Sequence, residues 1–135
     1  MINRRGCFTA TYHEGYIYAF GGLNYTEKVM KKCERFKLVG AGEAGENKVV
    51  WQPIASLNCC RKNASSLSLT SDTLYVFGGA SNQAPSQDTI EQYSVTSNKW
   101  NVLKVKMPKA LAFMTTFKVS SSKVLIIGGC TRESS

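Results

Sequence analysis

Thr73-Leu74-Tyr75-Val76-Phe77-Gly78-Gly79 is the stretch that decides the fold, because near-copies of it occur twice more in the chain. The other copies are Gly15-Tyr16-Ile17-Tyr18-Ala19-Phe20-Gly21-Gly22 and Lys123-Val124-Leu125-Ile126-Ile127-Gly128-Gly129. Short runs of β-branched and aromatic residues bounded by glycine predict buried strands. The glycine pair supplies positive φ, or close backbone approach, where the chain leaves the sheet. The pattern therefore predicts a repeat of β-strands.

Other residues repeat at the same spacing as the glycine pairs. Phe36 and Tyr93 follow their Gly-Gly pairs at the same distance, and each comes two residues after a glutamate, Glu34 or Glu91. The interval between repeats is about 50 residues, which is typical of propeller-type repeats. Two tryptophans share this period: Trp51 and Trp100.

Gly-Gly, then an aromatic residue, then tryptophan at this period resembles the kelch repeat, over nearly the whole chain. The resemblance implies an all-β fold of four-stranded antiparallel blades in a β-propeller. Blade one is expected at about 4–57 with a glycine-rich loop insertion at 40–47, blade two at 58–107, half of blade three at 108–130, and a tail at 131–135. The ten expected strands are 6–12, 16–21, 33–38, 49–54, 64–70, 73–78, 89–95, 99–103, 112–119 and 123–128.

Kelch propellers usually close with about six blades, so the resemblance predicts an incomplete propeller. We expect a segment of a longer chain, or a chain whose missing blades come from another subunit. One local pattern competes with the strands, since Val29, Met30, Cys33 and Phe36 have helical spacing. The offset shared by Phe36 and Tyr93 favours a strand from Cys33 onward, with a short helical turn before it left open.

The repeat-fixed residues are expected to be structural, because large aromatic side chains at fixed repeat positions pack blade against blade. Glu34 and Glu91 are expected to satisfy backbone groups or neighbouring side chains. The predicted structural residues are Gly21, Gly22, Phe36, Trp51, Gly78, Gly79, Tyr93, Trp100, Gly128 and Gly129.

Little in the sequence suggests catalysis. His13 is the sole histidine and is expected in a solvent-exposed turn. An alternative is a galactose-oxidase-like enzyme, but that kelch-fold family holds copper with two histidines and two tyrosines. No phosphate-binding glycine motif and no paired carboxylates stand out. We therefore expect a non-enzymatic protein with no metal and no cofactor.

Binding is expected in the loops, because propellers carry function in loops on a rigid scaffold. In kelch proteins partners are commonly held by the loops that lead into the inner strand and by those that follow Gly-Gly. Here both sets are basic and polar, which predicts a positive rim for an acidic protein segment. The alternative is that they are ordinary solvated charges. The predicted contact residues are Arg4, Arg5, Asn24, Tyr25, Arg61, Lys62, Ser81, Asn82, Gln83, Lys109, Thr131 and Arg132.

Charge and cysteine content limit the setting. The net charge of +8 permits acidic proteins, nucleic acids or anionic surfaces as partners. A second basic cluster supports nucleic-acid binding only weakly, because no nucleic-acid motif accompanies it; a charged outer strand that protects the edge is the preferred interpretation. Five cysteines without CxxC spacing suggest reduced thiols in the cytoplasm, with cytoskeletal or ciliary complexes possible and no membrane segment expected. The second basic cluster comprises Lys28, Lys31, Lys32, Arg35 and Lys37.

Overall fold

The computed structural model describes residues 1–38 and 49–131, and every regular element within those ranges is a β-strand. The all-β class predicted from the sequence is confirmed. The strands are β1 (Thr9–His13), β2 (Tyr16–Phe20), β3 (Cys33–Lys37), β4 (Gln52–Ile54), β5 (Ser65–Ser68), β6 (Thr73–Phe77), β7 (Gln87–Ser94), β8 (Lys99–Ser120) and β9 (Lys123–Cys130).

The strands form two antiparallel sheets in simple up-and-down order. The first sheet has the order β1-β2-β3-β4, and the second has the order β5-β6-β7-β8-β9. β8 serves two partners, since its first half pairs with β7 and its second half with β9. We call β1–β4 blade one, β5–β7 with residues 99–106 blade two, and residues 112–130 half-blade three.

The described residues form nine strands where the sequence predicted ten. The two strands expected at 99–103 and 112–119 are one continuous strand, β8, which runs through Met107 and Pro108. Within this segment Met107 is buried in one cluster with Leu67 and Phe77. The pairing of β7 with β8 contains register shifts between Gln87 and Glu91. The predicted insertion at 40–47 lies outside the described residues.

The segment with helical spacing is a strand from Cys33, as the shared offset predicted. Before it, residues 24–27 form a turn in which Glu27 has φ of 58°. Leu23 and Val29 then form an isolated antiparallel bridge. Within the described ranges no helix is long and apolar enough to cross a membrane.

The main core lies between blade one and blade two. Tyr18 and Phe20 of β2 pack with Tyr93 and Trp100 of blade two. The rings of Phe20 and Trp100 meet edge-to-face with centroids 5.2 Å apart. The indole N–H of Trp100 donates to the Ala55 carbonyl at 2.8 Å, so its one polar group is satisfied. Tyr93 and Trp100 thus lie in the contact between the two blades.

A second core lies between blade two and half-blade three. Leu67, Phe77 and Ile90 pack there with Met107 and Met114. Hydroxyl contacts link β1 to β5 and β5 to β8. The hydroxyl oxygens of Thr9 and Ser66 are 2.7 Å apart, and those of Ser65 and Thr116 are 2.8 Å apart. The two junctions are therefore built in the same way.

Glycine is required where the next blade approaches. Gly21 and Gly78 have φ of 60° and 54°, which disfavours any residue with a side chain. A Cβ at Gly21 would overlap the Arg61 carbonyl, and one at Gly78 would overlap the Leu111 carbonyl. The structural role predicted for these glycines follows from this contact between neighbouring blades.

Arg5 and Arg61 are buried, which corrects the prediction that they belong to an exposed rim. The Arg5 side chain has 0% exposure and contacts Glu34 at 2.8 Å. The Arg61 side chain has 1% exposure and contacts Glu91 at 3.1 Å. The guanidinium of Arg61 also donates to the carbonyls of Gly78 and Thr89. Burial of a charge requires such partners, so both arginines are structural.

Glu34 and Glu91 complete these buried networks. Glu34 accepts hydrogen bonds from the backbone N–H of Ile2 and Asn3, and Glu91 accepts them from Asn58 and Cys59. Each pair thus ties the segment that leads into the inner strand to the third strand of its blade. The backbone-satisfying role predicted for both glutamates is confirmed.

Replacing Gly78 by alanine should destabilise the protein far more than the same change at Gly128. Both have positive φ, worth about 1 kcal/mol against alanine, but a Cβ at Gly128 meets nothing within 4 Å. Overlap at Gly78 adds to that cost, so we expect a total near 3 kcal/mol. Urea denaturation of both variants measures the difference, and equal losses would contradict the close-contact role.

Arg61→Met should lower the free energy of unfolding by about 3–5 kcal/mol, because it leaves Glu91 charged, buried and without its cation. Lys62→Met is the matched control, since that side chain is half-buried and unpaired among the described residues. The control should stay within about 0.5 kcal/mol of the parent. A small loss for Arg61→Met would show that the guanidinium is not structural.

Candidate functional site

Two sets of loops meet at one end of the blades. The loop that leads into β1 bridges the loop after the first Gly-Gly through Gly6 and Leu23, with N–H···O distances of 2.9 and 2.8 Å. Lys62 and Ala80 form the same bridge in blade two, at 2.9 and 2.8 Å. We call this end of the protein the loop face.

Polar side chains shape the loops after Gly-Gly from within. Asn24 accepts hydrogen bonds from the backbone N–H and hydroxyl of Thr26 and from the N–H of Lys28. Ser81 accepts from the N–H groups of Gln83 and Ala84. Such local bonds favour turns. Asn24 and Ser81 are therefore partly committed to loop shape.

The loop face carries a basic cleft over blade one, which we call cleft one. Its volume is about 650 Å³, and it is lined in part by Arg4, Tyr25, Lys31, Lys32 and Cys60. Every charged residue in its lining is basic. The Tyr25 side chain stands at the edge and is 87% exposed. Cleft one is thus suited to an anionic group beside an exposed aromatic ring.

A second cleft, cleft two, adjoins the first over blade two. Its volume is about 700 Å³, and Val29, Lys31 and Cys60 line both clefts. Its only acidic residue, Asp88, pairs with Lys106 at 3.2 Å. The remaining polar lining is mainly amides and hydroxyls: Asn58, Ser81, Asn82, Ser86, Gln87, Gln83 and Thr89. Amide side chains both donate and accept, so cleft two matches the polar backbone of an extended peptide.

Six of the twelve predicted contact residues line these clefts, and five others that the structure describes do not. Lys62 is half-buried, and Lys109 and Thr131 are exposed, but none of them lines either cleft. Arg5 and Arg61 are buried, and Arg132 lies outside the described residues. The predicted residues that the structure brings to the clefts are Arg4, Asn24, Tyr25, Ser81, Asn82 and Gln83.

The residues shared by the two clefts were not among the predicted contacts. Lys31 belongs to the basic cluster that the sequence predicts on an outer strand, and Cys60 directly precedes Arg61 in a predicted loop. Arg35, from the same cluster, points elsewhere. Its guanidinium lies over the Tyr16 ring at 4.6 Å and donates to the Tyr18 hydroxyl. The cluster is therefore divided between the loop face and the blade.

His13 is buried, with 4% exposure, which corrects the exposed turn predicted for it. It ends β1 on the side that faces blade two. Its Nδ1 lies 2.7 Å from the Ser68 hydroxyl and its Nε2 lies 3.1 Å from the Ser71 carbonyl oxygen. The ring is occupied in holding the two blades together.

Among the described residues, the four side chains with clearly shifted pKa values all lie outside the two clefts: Cys33, Arg35, Asp72 and Tyr93. Burial raises the pKa of the Cys33 thiol to about 12 and that of Tyr93 to about 12. Hydrogen bonds from Thr96 and Ser94 lower the pKa of Asp72. Among residues 1–38 and 49–131, no group of three or more His, Cys, Asp or Glu side chains is placed to hold a metal ion. The described lining of the clefts supplies cationic and hydrogen-bonding side chains.

Comparison with known proteins identifies the family to which the repeat belongs. Kelch-like protein 38 from rat is 23% identical over 133 residues, and the human protein of that name is 24% identical over 133 residues. Each alignment covers 98% of this chain but 21% of the relative, so the chain spans about a fifth of the length of these curated relatives. A family model described as the kelch motif matches residues 4–40 and 62–104, which is more than half of the chain. The chain therefore belongs to the kelch-repeat family, and its sheets are blades of a kelch-type β-propeller.

Proposed function

We propose that this protein is a non-enzymatic interaction module that holds an acidic segment of a partner protein across the loop face. Kelch repeats and kelch-like relatives support a protein-interaction module in general. The acidic partner, the loop face and a cytoplasmic setting are our proposals. The observation that carries them is the charge of cleft one, in whose lining every charged side chain is a cation.

Charge complementarity supports an acidic partner. Arg4, Lys31 and Lys32 are exposed and have no ion-pair partner among the described residues. Their charges are part of the protein's net charge of +8, which attracts anionic partners at long range. Arginine can also bind a carboxylate through two parallel hydrogen bonds. Carboxylates of the partner would therefore lie over blade one.

The shape of the loop face supports an extended segment rather than a small molecule. The two clefts join at Lys31 and Cys60 and run from blade one to blade two. Both are open at the surface, whereas small-molecule sites usually enclose most of their ligand. The amides of cleft two would bind peptide backbone next to the acidic side chains. An extended, strand-like peptide could contact the cations of cleft one and the amides of cleft two together.

We propose no catalytic role for the loop face. His13, the one histidine, lies at the blade junction and not in either cleft. General acid–base catalysis requires a titratable group within hydrogen-bond reach of substrate. The side chains shared by the clefts are Val29, Lys31 and Cys60, and none of them has a positioned base beside it in the described chain.

The test is a binding titration with a fluorescent peptide of alternating glutamate and glycine, compared with its glutamine counterpart. The chain should bind the glutamate peptide more tightly. The double variant Lys31→Glu, Lys32→Glu should weaken that binding by about tenfold, because it replaces attraction by repulsion at exposed sites.

The matched control is Lys99→Glu, Lys104→Glu, which makes the same change of net charge on exposed positions of β8 outside both clefts. The control should stay within about twofold of the parent, since exposed charges act weakly beyond a Debye length. Equal losses of peptide affinity in the two double variants would show that only the net charge matters, and would contradict a site in the cleft. Tighter binding of a nucleic-acid oligomer than of the peptide, with a steep salt dependence, would favour the nucleic-acid alternative.

A further inference from the structure

Cleft one holds three cations that the rest of the described protein leaves unpaired. Arg4, Lys31 and Lys32 are exposed and take part in none of the three ion pairs that the described residues form. The described lining of cleft one contains no carboxylate. We call Arg4, Lys31 and Lys32 the cleft-one cations, and their charges are available to an anionic ligand.

The backbone under the two lysines is fixed, although their side chains are free. The Lys31 carbonyl accepts a hydrogen bond from the N–H of Leu57 at 2.9 Å. The Lys32 carbonyl accepts one from the N–H of Gly21 at 3.1 Å and another from the guanidinium of Arg5 at 2.8 Å. Both ammonium groups are therefore attached to a rigid segment, which lowers the entropy lost when a ligand orders them.

The buried ion pair of blade one brings Arg4 to the same segment. Arg4 directly precedes Arg5, whose guanidinium contacts both Glu34 and the Lys32 carbonyl. On the other side of Arg4, the backbone N–H of Asn3 donates to Glu34 at 3.4 Å. The chain is thus anchored on both sides of Arg4, close to the segment that carries the lysines.

The internal repeat indicates that the fold does not require a cation at the position of Arg4. Arg5 and Arg61 form equivalent buried ion pairs, so the residues that precede them, Arg4 and Cys60, occupy equivalent positions. Blade two has the same bridge between its loops as blade one, although it carries a thiol at this position.

The two lysines likewise have no cationic counterparts in blade two. The carbonyls of Lys32 and Thr89 each accept a hydrogen bond, at 3.1 Å, from the first glycine of the Gly-Gly pair in their blade. Thr89 therefore corresponds to Lys32, and Asp88 corresponds to Lys31. The buried arginine and glutamate repeat between the blades, whereas the cleft-one cations do not. Their charge is thus available for a ligand of cleft one.

We infer that this ligand is a phosphorylated side chain, such as phosphoserine, within the partner segment; the inference rests on the function proposed above. A phosphomonoester carries a charge of about −1.5 to −2 at neutral pH and has three acceptor oxygens, whereas glutamate carries one negative charge. Arg4 can donate two parallel hydrogen bonds to a phosphate, and Lys31 and Lys32 add compact charges. Phosphate therefore compensates the three cations more fully than a carboxylate does.

The lining of cleft two favours a peptide over a nucleic acid as the source of the phosphate. A nucleic-acid strand carries a phosphate at every nucleotide and is bound by cations along its length. The described lining of cleft two adds no cation to the shared Lys31, and it includes the carboxylate of Asp88. Its amides and hydroxyls suit the backbone of a peptide that has one phosphorylated residue in cleft one.

Fluorescence titration with three peptides tests the inference. The peptides have the alternating glutamate–glycine sequence and differ at one central residue, which is phosphoserine, glutamate or serine. The phosphoserine peptide should bind about fivefold more tightly than the glutamate peptide, because it brings additional negative charge to the cleft-one cations. Arg4→Gln should reduce this preference to about twofold by removing the bidentate donor.

Lys104→Gln is the matched control, because Lys104 is exposed on β8 and lies outside both clefts. It removes one positive charge, as Arg4→Gln does, and should keep the fivefold preference. Circular dichroism should show that both variants are folded, and Lys32→Gln provides a second test of the cleft should Arg4→Gln not fold. A preference that is equally reduced in the Lys104 variant would overturn the inference.

The pH dependence of binding gives a second measurement. The second pKa of a phosphomonoester is about 6, so between about pH 7.5 and about pH 5.5 the dianion is progressively protonated. Affinity for the phosphoserine peptide should fall by about twofold over this range. Affinity for the glutamate peptide should change less, because a free glutamate has a pKa of about 4.3. The titratable side chains in the described lining of cleft one are Arg4, Tyr25, Lys31, Lys32 and Cys60.

The outcomes separate this inference from the function on which it rests. Equal affinities for the phosphoserine and glutamate peptides would overturn the phosphate inference and leave the acidic segment as the ligand. Failure of all three peptides to bind would contradict both. Tighter binding of a nucleic-acid oligomer, or of vesicles that contain a phosphoinositide, than of the phosphoserine peptide would also overturn the inference.

Discussion

The junctions between blades depend on one close contact, in which a backbone carbonyl occupies the space that a side chain would fill at a glycine of the preceding blade. Gly21 receives Arg61 in this way, and Gly78 receives Leu111. The N–H of the glycine that follows then donates to the same carbonyl, at 2.7 and 2.8 Å. This approach sets the distance at which the aromatic residues of neighbouring blades can interlock. It also fixes the position of the loops that leave the sheet at the same point.

The buried ion pairs extend that constraint to the loop face. Arg61 reaches Glu91 and two backbone carbonyls, so the segment before β5 is tied to the middle of its own blade. Arg5 does the same with Glu34 and the Gly21 carbonyl. These cations are internal, and the cationic side chains that line cleft one are three others: Arg4, Lys31 and Lys32. Scaffold charge and surface charge are thus carried by separate groups.

The fold can be predicted from the sequence because the sequence signals repeat in register. The Gly-Gly pairs, Tyr93 and Trp100 coincide with strands and cores that the structure contains. The buried positions of Arg5 and Arg61 are harder to predict, because a cation in a predicted loop is usually solvated. Their spacing was nevertheless informative, since Arg5 to Arg61 and Glu34 to Glu91 repeat together to within one residue. His13 was misplaced for a related reason, because a turn residue can still be covered by the neighbouring blade. The junction of the clefts at Lys31 and Cys60 depends on how two blades meet, which a pattern within one blade does not specify.

The loops after Gly-Gly are shaped by hydrogen bonds within each loop. Asn24 and Ser81 each hold their loop in shape without help from the partner or from the other blade. The tips that they support, with Tyr25 on one loop and Asn82 and Gln83 on the other, are exposed and contribute nothing to the cores. Substitutions at these tips should therefore be nearly neutral for folding. The loop face can be diversified, by evolution or by library selection, as an interchangeable recognition surface on an unchanged scaffold.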